Sequence, residues 1–418
     1  WESRGQYPYK AIGGGDGMQV QVDSRNPNIV YSGSQFGNYS RQNLETGKRI
    51  RINPKHQLGE APYRYNWQTP ILLSPHNQDI LYMGANKLLR SMNQGEDFEV
   101  ISDDLTTGGK NGNVPYGTIT TISESPFQFG LIYTGTDDGY INVTKNSGMA
   151  WTKISSTLPP NLWVSRVIAS RHKKNRVYAT LNGYRQDDFK PYVFMSEDFG
   201  NTWSSISSNL SNTAAVNVIK EDSFNEELLF IGTDNGTYAS FNNGISWEAF
   251  SEGLPNVAVH DLVIQEEAQD LLVGTHGRSI YKAKITSLQQ HGKIGNKDLI
   301  VFDIKPIKSS RRWGMSWNQF YPAFEPELMI EYFSKNSDRL DIKIFSEKGT
   351  LLNKIPVSVD AGYNYTSYDL TITTTAKREL LTEDPKSGVT EAQNGKIYLT
   401  KGTYTIDIGG ETSILKIK

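Results

Sequence analysis

An aspartate set among glycines heads the short list of side chains in this chain that could do chemistry. Asp16 stands in Gly13-Gly14-Gly15-Asp16-Gly17, where the glycines would let a ligand approach the backbone and the carboxylate could act as acid or base. Asp before Gly is also an ordinary turn pair, and a capped turn is the competing reading. Arg64, Arg166, Arg185 and Arg278 lie in separate stretches; converging on one channel, they would hold an anion. The competing reading bonds Arg166 and Arg278 to a carbonyl or an aspartate between neighbouring elements, because buried polar groups must be satisfied.

Two aromatic groups suit a binding platform. Tyr63, Tyr65 and Trp67 surround Asn66, and Tyr184 is followed by Arg185, Asp187, Asp188, Phe189 and Tyr192. Rings beside charged hydrogen-bonders take sugars and peptides alike, and the alternative is that they cover the ends of elements. The second group is the better candidate, since it fills an enlarged loop. The six histidines (56, 76, 172, 260, 276 and 291) read as scattered over separate repeats, with no His-Glu-x-x-His and no Gly-x-Ser-x-Gly. With no cysteine either, the expectation is no metal site and no cofactor.

The elements that must position these residues are announced by a repeat. Ser91-Asn93-Gly95-Phe98, Thr144-Asn146-Gly148-Trp151, Ser196-Asp198-Gly200-Trp203 and Ser240-Asn242-Gly244-Trp247 all read S/T-x-D/N-x-G-x-x-W/F, the Asp-box pattern. The hydroxyl and the Asx satisfy donors of a tight turn, glycine supplies a positive φ, and the aromatic buries the hairpin tip. These sixteen positions are therefore read as structural. The copies begin 53, 52 and 44 residues apart, which is about one four-stranded propeller blade. Six strands ending in Gly-rich turns run out of phase with them: IVYSGSQFG, ILYMGANK, LIYTGTDDG, RVYATLNG, LLFIGTDNG and LLVGTHGRS. Before them lie strands such as Met18–Asp23, Thr118–Ile122, Val164–Ile168 and Val259–Val263, expected to line a central channel. The expected fold is all-β: an Asp-box β-propeller of six to seven blades, with incomplete or shared closure near the N-terminus.

Composition agrees. With 418 residues, 37% hydrophobic content and 37 glycines, the chain suits turn-rich β structure in two domains. A net charge of −2 from well-mixed signs gives no nucleic-acid footprint and no polybasic membrane patch. No apolar run is long enough for a membrane helix, so membrane association is expected only through partners or an anchor outside this sequence. A start at Trp1 reads as a processed or truncated piece with its export signal upstream. The propeller is expected over 1–286, a polar connector over 287–298, and an immunoglobulin-like β-sandwich over 299–418, with 374–394 a long loop.

Several longer segments carry a family resemblance: IGGGDG (12–17), YRYNWQTPILLSPH (63–76), WVSRVIAS (163–170), LNGYRQDDFKPYVFMSEDFGNTW (181–203), AAVNVIKED (214–222) and GTHGRSIYKAKI (274–285). Over residues 10–285 the chain resembles the bacterial sortilin-like, vacuolar-sorting-receptor-type BNR/Asp-box proteins, often labelled glycosyl hydrolase-like. Its tail, with KIFSEKGTLL, AGYNYTSYDL and KGTYTIDI, is similar to the FlgD-like or secretion-associated β-sandwich. The resemblance implies an exported protein, secreted, periplasmic or on the cell surface, built from two propellers of which this chain holds about one.

It also frames the enzyme question. Xyloglucanases of the same fold family use one aspartate from each of two propellers, one of them in a motif of the type Y-A-R-T-D-V-G-G. The corresponding Tyr31–Gly37 here puts Gln35 at the carboxylate position, and an amide neither gives nor takes the proton. Sialidases, which also carry Asp boxes, need an arginine triad and a tyrosine nucleophile. The first expectation is a non-catalytic interaction protein that binds a protein or peptide partner, with Asp16, Gln35, Arg64, Trp67, Arg166 and His260 facing the top or inside of the channel and Tyr184 and Arg185 in the enlarged loop. The alternative is a xyloglucanase-type hydrolase acting between two propellers on carbohydrate, with Asp16 as the catalytic candidate. A third reading makes the tail domain an adaptor or anchor.

Overall fold

In the computed structural model, residues 11–108, 116–318, 320–383, 385 and 388–418 are described. The chain is all-β, and it divides after Lys284 into two compact units.

The first unit is a β-propeller. Five consecutive four-stranded antiparallel sheets and one three-stranded sheet follow each other in chain order among the described residues. Their first strands lie side by side: Ile119–Glu124 against Trp163–Ala169, that against Val216–Glu221, and that against Val259–Gln265. Short polar side chains tie these inner strands together. Thr120 Oγ1 donates to Val164 O at 2.7 Å, Ser165 Oγ to Val216 O at 2.9 Å, and Ser123 Oγ accepts from Ala169 N at 3.0 Å. The expected strand Met18–Asp23 is paired only over Gln21–Val22, while Gln19 and Gln21 spend their side chains on Ile71 N and Leu73 N of the second sheet. Among the described residues the sixth sheet has three strands, Val259–Gln265, Asp270–Thr275 and Ile280–Lys284, and no Asp box.

Each Asp box closes the turn between third and fourth strands in one way. The hydroxyl of Ser91, Thr144, Ser196 or Ser240 accepts the amide of its glycine at 2.8–3.0 Å and donates to the Asx oxygen at 2.7–2.9 Å. The glycines sit at φ +83 to +96° against the preceding sheet, where a Cβ on Gly95 or Gly244 would stand 2.7 Å from the Cδ1 of Ile52 or Ile206. The indoles of Trp151, Trp203 and Trp247 donate to the carbonyls of Ile101, Ile154 and Ile206 at 2.8, 2.7 and 2.6 Å. Phe98 keeps the ring at the first box and lacks the donor.

The second unit is an immunoglobulin-like sandwich. A three-stranded sheet (Leu299–Val301, Leu328–Ser334, Gly362–Tyr368) and a four-stranded one (Leu351–Val359, Asp338–Ser346, Gly402–Ile408, Glu411–Ile417) share one core containing Ile330, Tyr332, Ile342, Ile344, Ile406 and Leu415. Two expectations need correcting. The stretch read as a polar connector over 287–298 is folded: Thr286–Gln289 is helical, and Leu288 and Ile294 are buried. Residues 374–394 hold a helix, Thr374–Glu383, whose Ala376 is buried and whose start is capped by Thr373 Oγ1 on Ala376 N at 3.1 Å. A hydroxyl cap with apolar residues at i and i+4, Ala376 and Leu380, explains why this segment is no loop.

Replacing Trp203 by Phe keeps the ring and leaves the Ile154 carbonyl without its indole donor. The expected loss is about 1–2 kcal/mol in urea unfolding, against little change for Phe98→Tyr; equal stability of Trp203→Phe and wild type would show that the ring alone holds the blades.

Candidate functional site

In an antiparallel four-stranded blade, the turns between second and third strands and the links from one blade to the next emerge at one end, opposite the Asp boxes. The candidate residues belong to this end and to the inner strands, and the structure sorts them into local groups rather than one constellation.

Asp16 accepts a short hydrogen bond from Gln35 Nε2. Gln35 opens a turn in which Phe36 and Gly37 both take positive φ. Phe36 stands edge-on to Trp67 at 5.1 Å between ring centroids, and its amide donates to Trp67 O at 3.2 Å. Asp16, Gln35 and Trp67 therefore form one exposed patch over the first two sheets. Arg64 is apart from it: Nη2 pairs with Asp104 at 2.7 Å and with Thr106 Oγ1 at 3.0 Å, and Nε donates to Gly117 O at 3.1 Å. Burial pushes Asp104 up, but hydrogen bonds from Thr106, Arg64 and Asn86 prevail and hold it below the ordinary carboxylate range.

Asp137 and Asp138, in the turn of the third sheet, were not singled out in the sequence. Asp137 is buried and accepts from Thr118 Oγ1 at 2.6 Å and from the amides of Gly117 and Thr118 at 2.9 and 2.8 Å. Burial outweighs these bonds and pushes it up. Asp138 accepts from the amide and hydroxyl of Thr107 at 2.8 and 2.7 Å. Both carboxylates are thus turn-holding groups.

The enlarged loop of the fourth sheet presents the second group. Asn182 Oδ1 accepts from Tyr184 N at 2.9 Å, a 3-10 turn runs over Tyr184–Gln186, and Asp187 turns the chain back at φ +55°. The Arg185 guanidinium lies 4.0 Å over the ring of Trp163, the first residue of the inner strand. It makes no hydrogen bond or ion pair among the described residues, and burial lowers its pKa against the opposing pull of Asp137. Tyr184 meets Phe189 edge-on at 6.1 Å beside it, and both rings are exposed.

The third group follows the inner strands. Arg166 Nη2 reaches Asp261 at 2.8 Å, spanning from the fourth sheet to the sixth, and Arg171 reaches Glu266 likewise. Lys220, on the intervening strand, is left without an ion pair or hydrogen bond among the described residues. Burial lowers its pKa first, Arg166 next, with Asp261 and Glu266 opposing and Arg171 adding to the shift. The sequence reading that scattered the histidines is corrected here: His260 and His276 meet at 5.3 Å between ring centroids, because Val259 pairs with Thr275 in one hairpin. Burial and the neighbouring His276 lower His260. Arg278 is exposed and unpaired among the described residues. Arg64 and Arg166 are already paired, so the four arginines do not form a shared anion triad. Among the described residues no three His, Asp or Glu side chains come together as a metal would need, and no helix is long and apolar enough to cross a membrane.

No family model and no curated protein matches the chain. Among solved structures it is similar to an ancestral GH74 enzyme, with 14% identity and a TM-score of 0.48 over 96% of this chain and 46% of that one. It is also similar to the GH74 xyloglucanase from Xanthomonas campestris, with 10% identity and a TM-score of 0.41 over 83% and 53%. A third is YCF48 from Cyanidioschyzon merolae, with 12% identity and a TM-score of 0.42 over 64% and 81%. The chain spans about half the length of the two GH74 structures. At such identities and scores none of the three transfers a ligand or a reaction to this chain.

Lys220 supplies a pH test. Its native pKa lies below the unfolded value near 10.5, so between the two the unfolded chain binds the extra proton and stability rises with pH. Below both values the native state carries the cost of a charged, unpaired lysine. Lys220→Met is expected to melt higher than wild type at pH 7, with the gap shrinking as the pH approaches 10.5; equal melting at pH 7 would mean that the ammonium is fully solvated or paired.

Proposed function

We propose that the propeller is an exported, non-catalytic binding module of the sortilin-like Asp-box type, and that its loop face takes a peptide or protein segment within a cell-surface or envelope assembly. One observation carries this reading: the Arg185 guanidinium stacked on Trp163 with no hydrogen bond or ion pair among the described residues, flanked by the exposed rings of Tyr184 and Phe189. A stacked arginine is pre-organised for bidentate contact with a carboxylate or for bonds to backbone carbonyls, and the two rings offer area for an apolar side chain. Carbohydrate would also stack on such rings. The hydrolase reading has weaker support, because an inverting glycosidase needs one protonated and one ionised carboxyl flanking a bond. Asp104, Asp137 and Asp138 are engaged in turns and ion pairs, and Asp16 is bonded to the amide at the position where a second aspartate was sought.

The test pairs binding with hydrolysis. In fluorescence anisotropy against a library of fluorescein-labelled acidic peptides, Arg185→Ala is expected to weaken the best binders at least about tenfold, the size of one charge-assisted hydrogen bond, and xyloglucan incubated with the chain releases no reducing ends. Release of reducing ends that Asp16→Asn abolishes would overturn the proposal in favour of the hydrolase.

A further inference from the structure

The second unit carries a feature that the propeller's binding face does not use. Residues 304–324 contain Lys305, Lys308, Arg311 and Arg312 and no aspartate or glutamate. Within this stretch a hairpin is fixed at its base and bare at its tip. At the base, Trp313 is buried against Tyr398, with 6.1 Å between ring centroids. Gly314 takes φ +74° where the side chains of Ala392 and Tyr398 leave no room for a Cβ. Gly314 N donates to Phe324 O at 2.8 Å, Phe324 N to Met315 O at 2.9 Å, and Asn394 N to Gly314 O at 3.0 Å. Past this anchor, Met315, Trp317, Phe320, Tyr321 and Phe324 are 51, 85, 84, 64 and 55% exposed.

Five large apolar side chains left bare on one short, anchored hairpin are an interaction site rather than a chance exposure. Among the described residues the tip pairs several of its own polar groups: Tyr321 N donates to Asn318 O at 3.2 Å, Phe320 N to Asn318 Oδ1 at 2.8 Å, and Ser316 Oγ to Tyr321 O at 2.5 Å. Such internal pairing is what a segment needs in order to leave water without stranding polar groups. Beside the hairpin, Lys305, Lys308, Lys401 and Lys418 line a cleft of about 590 Å³ together with Pro306 and Ser309. None of the four has an acidic partner among the described residues. The cleft and the hairpin are joined by a single turn, Ser309 N donating to Lys418 O at 2.8 Å and Trp313 N to Ser310 O at 3.3 Å.

We propose that this hairpin and the lysine cleft beside it form a docking surface for an anionic lipid bilayer. The rings of Trp317, Phe320, Tyr321 and Phe324 enter the boundary between headgroups and acyl chains, and the unpaired cations take lipid phosphates. The composition favours a bilayer over a protein partner. Tryptophan and tyrosine with flanking Lys and Arg are the residues of the membrane interface; protein interfaces share the aromatics, Met and Arg but are depleted in lysine, so it is the four cleft lysines that separate the two. Clustered cations without counter-acids complement a surface of uniform negative charge. This inference stands apart from the propeller's ligand and survives or fails on its own.

The experiment is co-sedimentation of the full chain with phosphatidylcholine vesicles, with and without phosphatidylglycerol. The expected result is sedimentation with the anionic vesicles that falls as salt is raised, and little with phosphatidylcholine alone. The exposed pair Trp317→Ser with Phe320→Ser should lower partitioning at least about tenfold, at an unchanged melting temperature. Lys308→Glu with Arg311→Glu should weaken it by about fivefold for each cation removed and flatten the salt dependence. Absence of sedimentation with anionic vesicles, or equal sedimentation of the Trp317/Phe320 variant and wild type, would overturn the proposal.

Discussion

Each of the second to fifth blades of this propeller is held to its predecessor through one isoleucine. Ile52, Ile101, Ile154 and Ile206 end or immediately follow the outermost strand of one blade, and each meets the Asp-box glycine of the next so closely that only glycine fits. The same residue's carbonyl accepts the indole N–H at Ile101, Ile154 and Ile206. Side chain and main chain of a single residue thus fix both the spacing and the angle between blades at their outer rim. At the inner rim the corresponding work falls to Gln, Ser and Thr side chains that bond to the next strand's backbone. At the opposite end the links between blades place Leu105, Leu158, Leu162 and Leu210 in the cores, whereas the turns between second and third strands are held by local bonds. They are free to differ from blade to blade, as the short turn at Gln35 and the enlarged one at Tyr184 do.

That freedom shows in how charge is used. On the loop end the acids are consumed locally, Asp104 by Arg64 and Asn86, Asp137 and Asp138 by threonines and amides. Along the inner strands, Arg166 with Asp261 and Arg171 with Glu266 reach past the fifth blade and leave Lys220 between them without a partner among the described residues. The pairs are satisfied at their ends, while Arg166 Nε is buried without a partner among the described residues. Unmatched cations such as Lys220 and Arg185 are the sites where a ligand, rather than the fold, can supply the counter-charge or the acceptor.

Much of the fold was legible because the Asp box is local: hydroxyl, Asx, glycine and aromatic lie within eight residues and satisfy one another in one turn. The partner across the blade boundary was not legible. The isoleucines recur near the same period, but nothing at Ile154 itself marks its carbonyl as the acceptor for Trp203. The candidate site was legible only in pieces. Asp16 and Gln35 meet, with Trp67 beside them through Phe36, as do Tyr184 and Arg185 with their loop, yet Trp163 as the platform under Arg185 depends on the geometry of one turn against one inner strand. His260 and His276 were separable in the sequence and adjacent in the structure. Their contact needs the hairpin register Val259 to Thr275 together with the bulge after Val259, and a bulge has no reliable signature in a single strand. The helix Thr374–Glu383 was obscured by its polar face, since one buried alanine and a threonine cap are a faint signal beside a run of charges.

The whole-chain charge conceals the contrast that matters most between the two units. A balance of −2 from mixed signs reads as an unremarkable surface. In the propeller, however, Arg25, Arg41, Arg64, Arg90, Arg166, Arg171 and Arg176 each reach a carboxylate. In the sandwich, Lys305, Lys308, Lys401 and Lys418 surround one cleft with no acid among its lining residues. Pairing removes most of a charge's reach, because an ion pair's field falls off faster than that of a single ion and salt screens what remains. The first unit therefore commits these seven arginines to holding blades and loops, leaving single cations such as Arg185 and Lys220 unpaired among the described residues, and the second, which pairs Lys297, Lys335, Lys354 and Lys396, keeps a clustered set available to whatever negative surface comes within a Debye length. A sum over the sequence cannot separate these two uses; only the positions of the acids can.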